Sequence, residues 1–120
     1  MMKLITKAQQ QKLLENGRRN AARLAEGERE LDLVPVVKLF TPDGAATWLL
    51  TEVDPEEPDI AFGLCDLGFG CPELGSVRIS EIASVRGKLG LPVERDRYFY
   101  PTQTLSAFAD EARTRGRIVA

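Results

Sequence analysis

The sequence predicts an α+β protein, a small, mainly antiparallel β-sheet (a meander) packed against N- and C-terminal helices. Three observations predict it. Runs rich in β-branched and aromatic residues recur at Val34–Phe40, Thr47–Val53 and Ile60–Leu67, and such side chains suit a pleated, half-buried surface. The links between these runs are short, which favours antiparallel neighbours. Apolar residues at helical spacing stand at both ends of the chain instead of between the strands. A length of 120 residues, 43% hydrophobic and 28% charged, is that of one domain over residues 1–120, and such a chain buries about two-thirds of the surface that its unfolded form exposes.

Taken in order, Thr6-Lys7-Ala8-Gln9 has capping-box spacing, so a helix is predicted to begin at Lys7. Leu13, Leu14, Ala21, Leu24 and Ala25 project within about 120° of one another, the width of a buried stripe, with Lys12, Arg19 and Arg23 opposite. Asn16-Gly17 leaves two short helices as an alternative to one long one, since glycine costs about 1 kcal/mol in a helix interior. The run Val34–Phe40 ends in Thr41-Pro42-Asp43-Gly44, a turn sequence, and pairs with Thr47–Val53 as a hairpin. Asp54–Asp59 reads as an exposed acidic loop before the third strand. Gly68–Gly75 reads as a loop, Ser76–Ile79 as a short strand and Ser80–Val85 as a helical turn or two. At the end, Leu105, Phe108, Ala109 and Ala112 keep i, i+3, i+4, i+7 spacing behind Thr104, a candidate N-cap. Arg113 and Arg115 fall in the last turn and Gly116 supplies the stop.

Composition removes several chemistries. With no histidine in the chain, imidazole triads, histidine–metal nucleases and phosphohistidine mechanisms are excluded, and any general acid or base is Asp, Glu, Lys, Cys or Tyr. Cys65 and Cys71 supply two ligands where structural zinc wants four, so packed or loop thiols are expected. No apolar run spans a bilayer and no secretory signal is evident, so a cytoplasmic location and no membrane partner are expected. The charge is uneven: residues 1–38 carry 8 basic and 5 acidic groups, residues 39–77 carry no basic and 8 acidic groups, and residues 78–120 carry 8 basic and 5 acidic groups.

The stretch 84–99 concentrates charges, glycines, a proline and aromatics in a segment too polar for ordinary core. If Leu91–Tyr100 is extended, Leu91, Val93, Arg95, Arg97 and Phe99 share one face and Glu94, Asp96, Tyr98 and Tyr100 the other. With Arg86 and Lys88 near in sequence, this predicts a cationic groove flanked by aromatics, with Arg86, Lys88, Arg95 and Tyr98 as ligand-binding residues for nucleic acid. The bland reading is internal ion pairing with Glu94 and Asp96. Glu52 and Asp54, two apart at a strand end, are the catalytic and metal candidates of a competing reading. They would hold Mg²⁺ or Mn²⁺ for cleavage of single-stranded DNA, with Lys88 or Arg95 as the clamp. Outside that reading no cofactor is expected. A third reading makes the acidic middle, Asp43, Glu52, Asp54, Glu56, Glu57, Asp59, Asp66 and Glu73, a mimic of DNA phosphates that inhibits a defence enzyme. Gly68-Phe69-Gly70 and Gly87-x-x-Gly90 lack the spacing of nucleotide loops and are assigned to turns. Trp48, Phe40 and Phe62 are assigned to the core.

Several blocks together resemble the bacterial domain of unknown function 2958 family. They are Val37–Pro42, Thr47-Trp48, Thr51–Asp54, Phe62-Gly63-Leu64, Pro72–Gly75 and Val85–Asp96, in one order between Leu33 and Tyr98. Arg97 departs from the family pattern, in which an apolar residue is usual. The resemblance implies a setting on plasmids and other mobile elements and an accessory role in DNA handling or defence evasion; the cation and aromatic clustering of Arg86 to Tyr98 adds the expectation of a non-enzymatic module whose partner is nucleic acid or a nucleic-acid-associated protein. The resemblance carries over no catalytic residues.

Overall fold

The structure is a computed structural model and describes residues 4–120. Helix α1 spans Lys7–Ala25. It starts on the capping box: the Thr6 hydroxyl accepts from the Gln9 amide and the Gln9 side chain accepts from the Thr6 amide, both at 3.1 Å. The helix runs unbroken through Asn16-Gly17.

Its buried face is not the stripe that apolar spacing predicts. Leu13 is buried and Leu14 half-buried, but Ala21, Leu24 and Ala25 are exposed, and the buried face continues through Asn16, Gly17 and Asn20. The cause is close approach. A Cβ at Gly17 would overlap the Val53 carbonyl oxygen, so the helix axis lies nearer the sheet there than any side chain allows. The asparagines fit because they are bonded. Asn16 Nδ2 donates to the Thr51 carbonyl at 3.0 Å, Asn20 Nδ2 donates to Glu52 Oε1 at 2.7 Å, and Asn20 Oδ1 accepts from the Leu31 amide at 2.7 Å. Asn20 is satisfied at both ends, while Asn16 keeps a buried Oδ1 with no partner among the described residues.

Five strands follow, β1 Val37–Phe40, β2 Thr47–Val53, β3 Ile60–Asp66, β4 Glu73–Arg78 and β5 Glu94–Arg95. The sheet order is β4-β3-β2-β1-β5 and every pair is antiparallel. The first three strands form the expected meander; β4 extends it, beginning at Glu73 inside the predicted loop and ending at Arg78, with Ile79 opening the next helix, and β5 is added beyond β1. Between Leu50 and Glu52 the pairing with β3 slips by one residue. This bulge lets Val53 return to the α1 side after Trp48 and Leu50 have used it. Helix α2, Ile79–Ser84, follows β4, and α3, Leu105–Arg115, ends at Gly116 in the left-handed region, φ 74°.

The two faces of the sheet carry separate cores. Toward α1 lie Leu13, Val37, Leu39, Trp48, Leu50, Val53, Ala61, Ile82 and Val93, while Leu49 and Leu64 pack on the other face with Leu105, Phe108, Ala109, Ala112 and Ile118. Each large side chain so buried contributes about 1.5–3 kcal/mol. The expectation that Phe40 and Phe62 are core is met only by halves: Trp48 is buried, but both phenylalanines are partly open.

The predicted extension of Leu91–Tyr100 is corrected. Only Glu94 and Arg95 pair with β1, and Pro92 makes an isolated bridge to Arg86. The strand stops because Asp96 Oδ1 accepts from the Tyr98 amide at 2.9 Å, which curls Arg97-Tyr98 into a turn. The turn removes the alternation that put Arg95 and Arg97 side by side.

Candidate functional site

The β1–β2 turn and the β3–β4 loop project from the same end of the sheet, and the glycine-rich segment 86–92 closes against that end. Asp43, in the β1–β2 turn, reaches into this segment, where its Oδ2 accepts from the amides of Leu89 at 2.6 Å and Leu91 at 3.2 Å. The loop is closed on itself by Gly87 N to Leu91 O, 3.1 Å, and Gly90 N to Gly87 O, 3.0 Å. A Cβ at Gly87 would overlap the Asp43 carboxylate, so a larger residue there would have to push Asp43 off its bonds to Leu89 and Leu91. The inward amides of this loop are therefore already turned on the protein's own anion.

The four cationic and aromatic candidates separate accordingly. Arg86 Nη1 donates to the carbonyls of Ala83 and Val85, both at 2.9 Å, at the end of α2. Arg95, half-buried, donates through Nη1 to the Leu4 carbonyl at 2.9 Å. Lys88 and Arg97 are exposed and have no partner among the described residues. Tyr98 is 84% exposed and Tyr100 81% exposed. The structure thus assigns two of the predicted cations to backbone carbonyls and leaves Lys88, with Arg97 and the tyrosines, facing solvent.

Glu52 and Asp54 take different surroundings. Glu52 is half-buried against α1, and burial pushes its carboxyl above the ordinary range, helped by the charge of Glu30 and opposed by the hydrogen bond from Asn20. Asp54 is exposed and its Oδ1 accepts from the Glu56 amide at 2.9 Å. Among the described residues no group of three or more Cys, Asp or Glu is placed to hold a metal ion. The acidic middle of the sequence is dispersed. Asp43 sits in the glycine loop, Asp59 and Glu57 pair with Arg78 at 3.6 and 2.9 Å, Asp66 is buried and Glu73 is exposed on β4. Cys65 and Cys71 are free thiols, and burial pushes that of Cys65 up.

A crevice of about 500 Å³ opens at the loop end of the sheet. Its floor is built by register: Phe40 pairs with Thr47 and Thr47 with Asp66, so the three side chains share a face, and Lys38 joins them from two residues along β1. This is the face that α3 covers further along, at Leu49 and Leu64. The walls are the 41–46 turn, Gly68 and Gly70, Asp96 and the tail Gly116–Ile118.

Each wall is braced by a side chain of the site. Asp66, 3% exposed, accepts from the Gly68 amide through Oδ1 at 2.8 Å and from the Ile118 amide through Oδ2 at 3.0 Å. Thr41 Oγ1 accepts from the Ala46 amide at 2.9 Å and closes the turn. Lys38 Nζ lies 3.4 Å from Asp96 and donates to the Ala120 carbonyl at 2.8 Å. Both oxygens of Asp66 are spent inside the protein, while the Arg117 guanidinium on the tail is exposed and without a partner among the described residues. The charged lining residues are thus two cations, Lys38 and Arg117, and two carboxylates, Asp66 and Asp96, and Arg117 is the cation among them that no carboxylate pairs.

Sequence reasoning missed Lys38, Asp66 and Arg117 as a group. They lie on β1, at the end of β3 and after α3, and only the strand register together with the path of the tail brings them together. A usable signal was Asp66 itself, a carboxylate ending an apolar strand.

Among the described residues, no helix is long and apolar enough to cross a membrane. No curated protein and no solved structure matches the chain. The model of one family, described as a protein of unknown function (DUF2958), matches residues 4–119. The match covers nearly the whole described chain, α1 to the tail behind α3, and the blocks read from the sequence fall inside it. The chain therefore belongs to the DUF2958 family.

Proposed function

We propose that this protein is a non-enzymatic accessory module that binds single-stranded nucleic acid along the path from the loop end of its sheet past the β5 edge. One observation carries the reading: exposed cations without an internal partner and exposed aromatics recur along that path, Lys88 and Phe69 in the loops at one end and Arg97 next to Tyr98 where the chain leaves β5. Lys88, Arg97 and Arg117 have no carboxylate partner among the described residues, and Phe69, Tyr98 and Tyr100 are 84%, 84% and 81% exposed. Phosphates draw unpaired cations, and bare aromatic faces stack unpaired bases with little regard to sequence. The mobile-element setting that the resemblance implies agrees with a role in DNA handling. Cleavage at Glu52 and Asp54 draws no comparable support, because Asn20 holds one carboxylate and a loop amide the other.

The test is fluorescence anisotropy with a labelled oligonucleotide of about 15 nucleotides. Three phosphate contacts give a log–log salt slope of about −2, so affinity should fall about twentyfold between about 50 and 200 mM salt. A Lys88→Ala/Arg97→Ala variant should flatten that fall to about threefold. Arg86 and Arg95 are left intact because their guanidiniums hold backbone carbonyls, and removing them would confound binding with folding. Binding that is absent, or equal in the variant at every salt concentration, overturns the proposal.

A further inference from the structure

The crevice between the 41–46 turn, the Gly68–Gly70 loop and the 116–118 tail is the strongest unassigned feature of the molecule. Its volume, about 500 Å³, lies in the range of sites that enclose small ligands. Two features separate it from an incidental groove. It occupies a sheet face that a helix covers elsewhere in the same fold. Its walls are held apart by bonds from the floor, above all the buried Asp66 carboxylate, which ties the β3–β4 loop to the tail. Burying a carboxylate is costly unless it is fully bonded, and here the return is a fixed concavity.

The groups left unspent define the occupant. The Arg117 guanidinium is free to make a paired contact with an oxyanion, while the Lys38 ammonium on the floor is offset by Asp96. The Thr47 hydroxyl on the floor has no partner among the described residues. Phe40 offers a ring face on the floor, and Phe69 stands exposed on the adjoining loop. Guanidinium, hydroxyl and aromatic plane in one pocket are the complement of a phosphate, a sugar and a base.

We infer that the crevice is a binding site for one nucleotide bearing a phosphomonoester, either a free nucleoside monophosphate or the 5′-phosphorylated end of a single strand. The inference deepens the single-strand reading above by naming a terminal subsite. Arg117 holds the phosphate, Thr47 meets the sugar and Phe40 supports the base. Asp66 acts as a positioning residue, setting the distance between the Gly68 and Ile118 walls without touching the ligand.

The experiment uses the whole chain labelled with ¹⁵N, titrated separately with adenosine 5′-monophosphate, adenosine, and matched oligonucleotides with and without a 5′-phosphate. The amides of Gly44, Gly68, Gly70 and Gly116 report on the crevice, and those of Lys88 and Arg97 on the outer surface. The inference expects the crevice amides to move with the monophosphate and the phosphorylated strand, and Arg117→Gln to weaken that response about tenfold, the loss of one charge-assisted contact. A tighter response to the phosphorylated strand identifies a strand end as the source, and a tighter response to the monophosphate identifies the free nucleotide. Crevice shifts with the monophosphate but no binding of any strand would support the inference and sink the single-strand reading. Strand binding that moves only the outer amides, indifferent to the 5′-phosphate, would overturn the inference and leave that reading standing. Equal responses to adenosine and its monophosphate, or none, also overturn it.

Discussion

An alanine in place of a glycine inside a free helix gains about 1 kcal/mol, but at Gly17 the added methyl group would run into the Val53 carbonyl oxygen. A backbone carbonyl of a central strand cannot swing aside, so the helix must lift and loosen the bonds from Asn16 and Asn20 to β2. Gly17→Ala is expected to destabilise by about 1–3 kcal/mol, the usual cost of overpacking, read by denaturant unfolding; a variant as stable as the parent contradicts this close approach. Glu52 supplies a second residue-scale test. Burial raises its carboxyl in the folded state, so its contribution to stability is full below the ordinary glutamate range and is lost as pH rises through the raised value. Glu52→Gln stays neutral and keeps the oxygen that accepts from Asn20. Its melting temperature should therefore exceed that of the parent at pH 7, and the gap should close as the pH falls toward about 4. A gap independent of pH would show that the ionised carboxylate carries no folding cost.

At the scale of elements, α2 and α3 share a device that no local pattern announces. Neither Arg78 nor Thr104, their N-cap residues, makes a side-chain cap. Each helix is instead capped by a remote aspartate on the serine next to its start: Asp59 accepts from Ser80 N at 2.9 Å and Ser80 Oγ at 2.6 Å, and Asp32 accepts from Ser106 N at 3.1 Å and from Ser106 Oγ. The Ser80 hydroxyl bond lowers the Asp59 carboxyl; at Asp32 burial pulls upward, and the bonds from Ser106 and Thr104 together outweigh it. A lowered carboxyl gives stability that is present above the ordinary aspartate range and lost as pH falls through the lowered value. Asp32→Ala should cost about 1 kcal/mol at neutral pH, and its acid unfolding below about pH 4 should be shallower than that of the parent. An unchanged acid limb would remove Asp32 as a cap. What was legible follows the same division. Strands β1 to β3, the Thr6 capping box and the Gly116 stop rest on neighbours in sequence and were readable. The polar face of α1, the remote caps, the turn at Arg97 and the crevice depend on partners many residues away. Apolar periodicity could not show that asparagines would be the buried face of α1, because the glycine between them matters only once β2 lies beneath it.

For the whole molecule, the consequence is an uneven sandwich. The α1 side of the sheet carries the larger apolar cluster and the asparagine bonds to β2, while α3 rests on the smaller cluster of Leu49, Leu64 and its own Leu105, Phe108, Ala109 and Ala112. Ties hold α3 at its ends, Asp32 and the Leu33 carbonyl at the start and, through the Ile118 amide, Asp66 beyond the finish. Because the tail behind α3 is also a wall of the crevice, the less strongly held layer of the fold and the candidate site open together. Local unfolding draws on the elements with the fewest buried contacts, so amide exchange should show α3 and residues 116–118 opening as one unit, at lower cost than β2 and β3. Asp66→Ala should lower protection across α3 and at Gly68 and leave the α1–β2 amides unchanged, since its carboxylate bonds only the β3–β4 loop and the tail. Uniform loss of protection over every element would mean that the sheet and both helices unfold in a single step and that the crevice wall has no motion of its own.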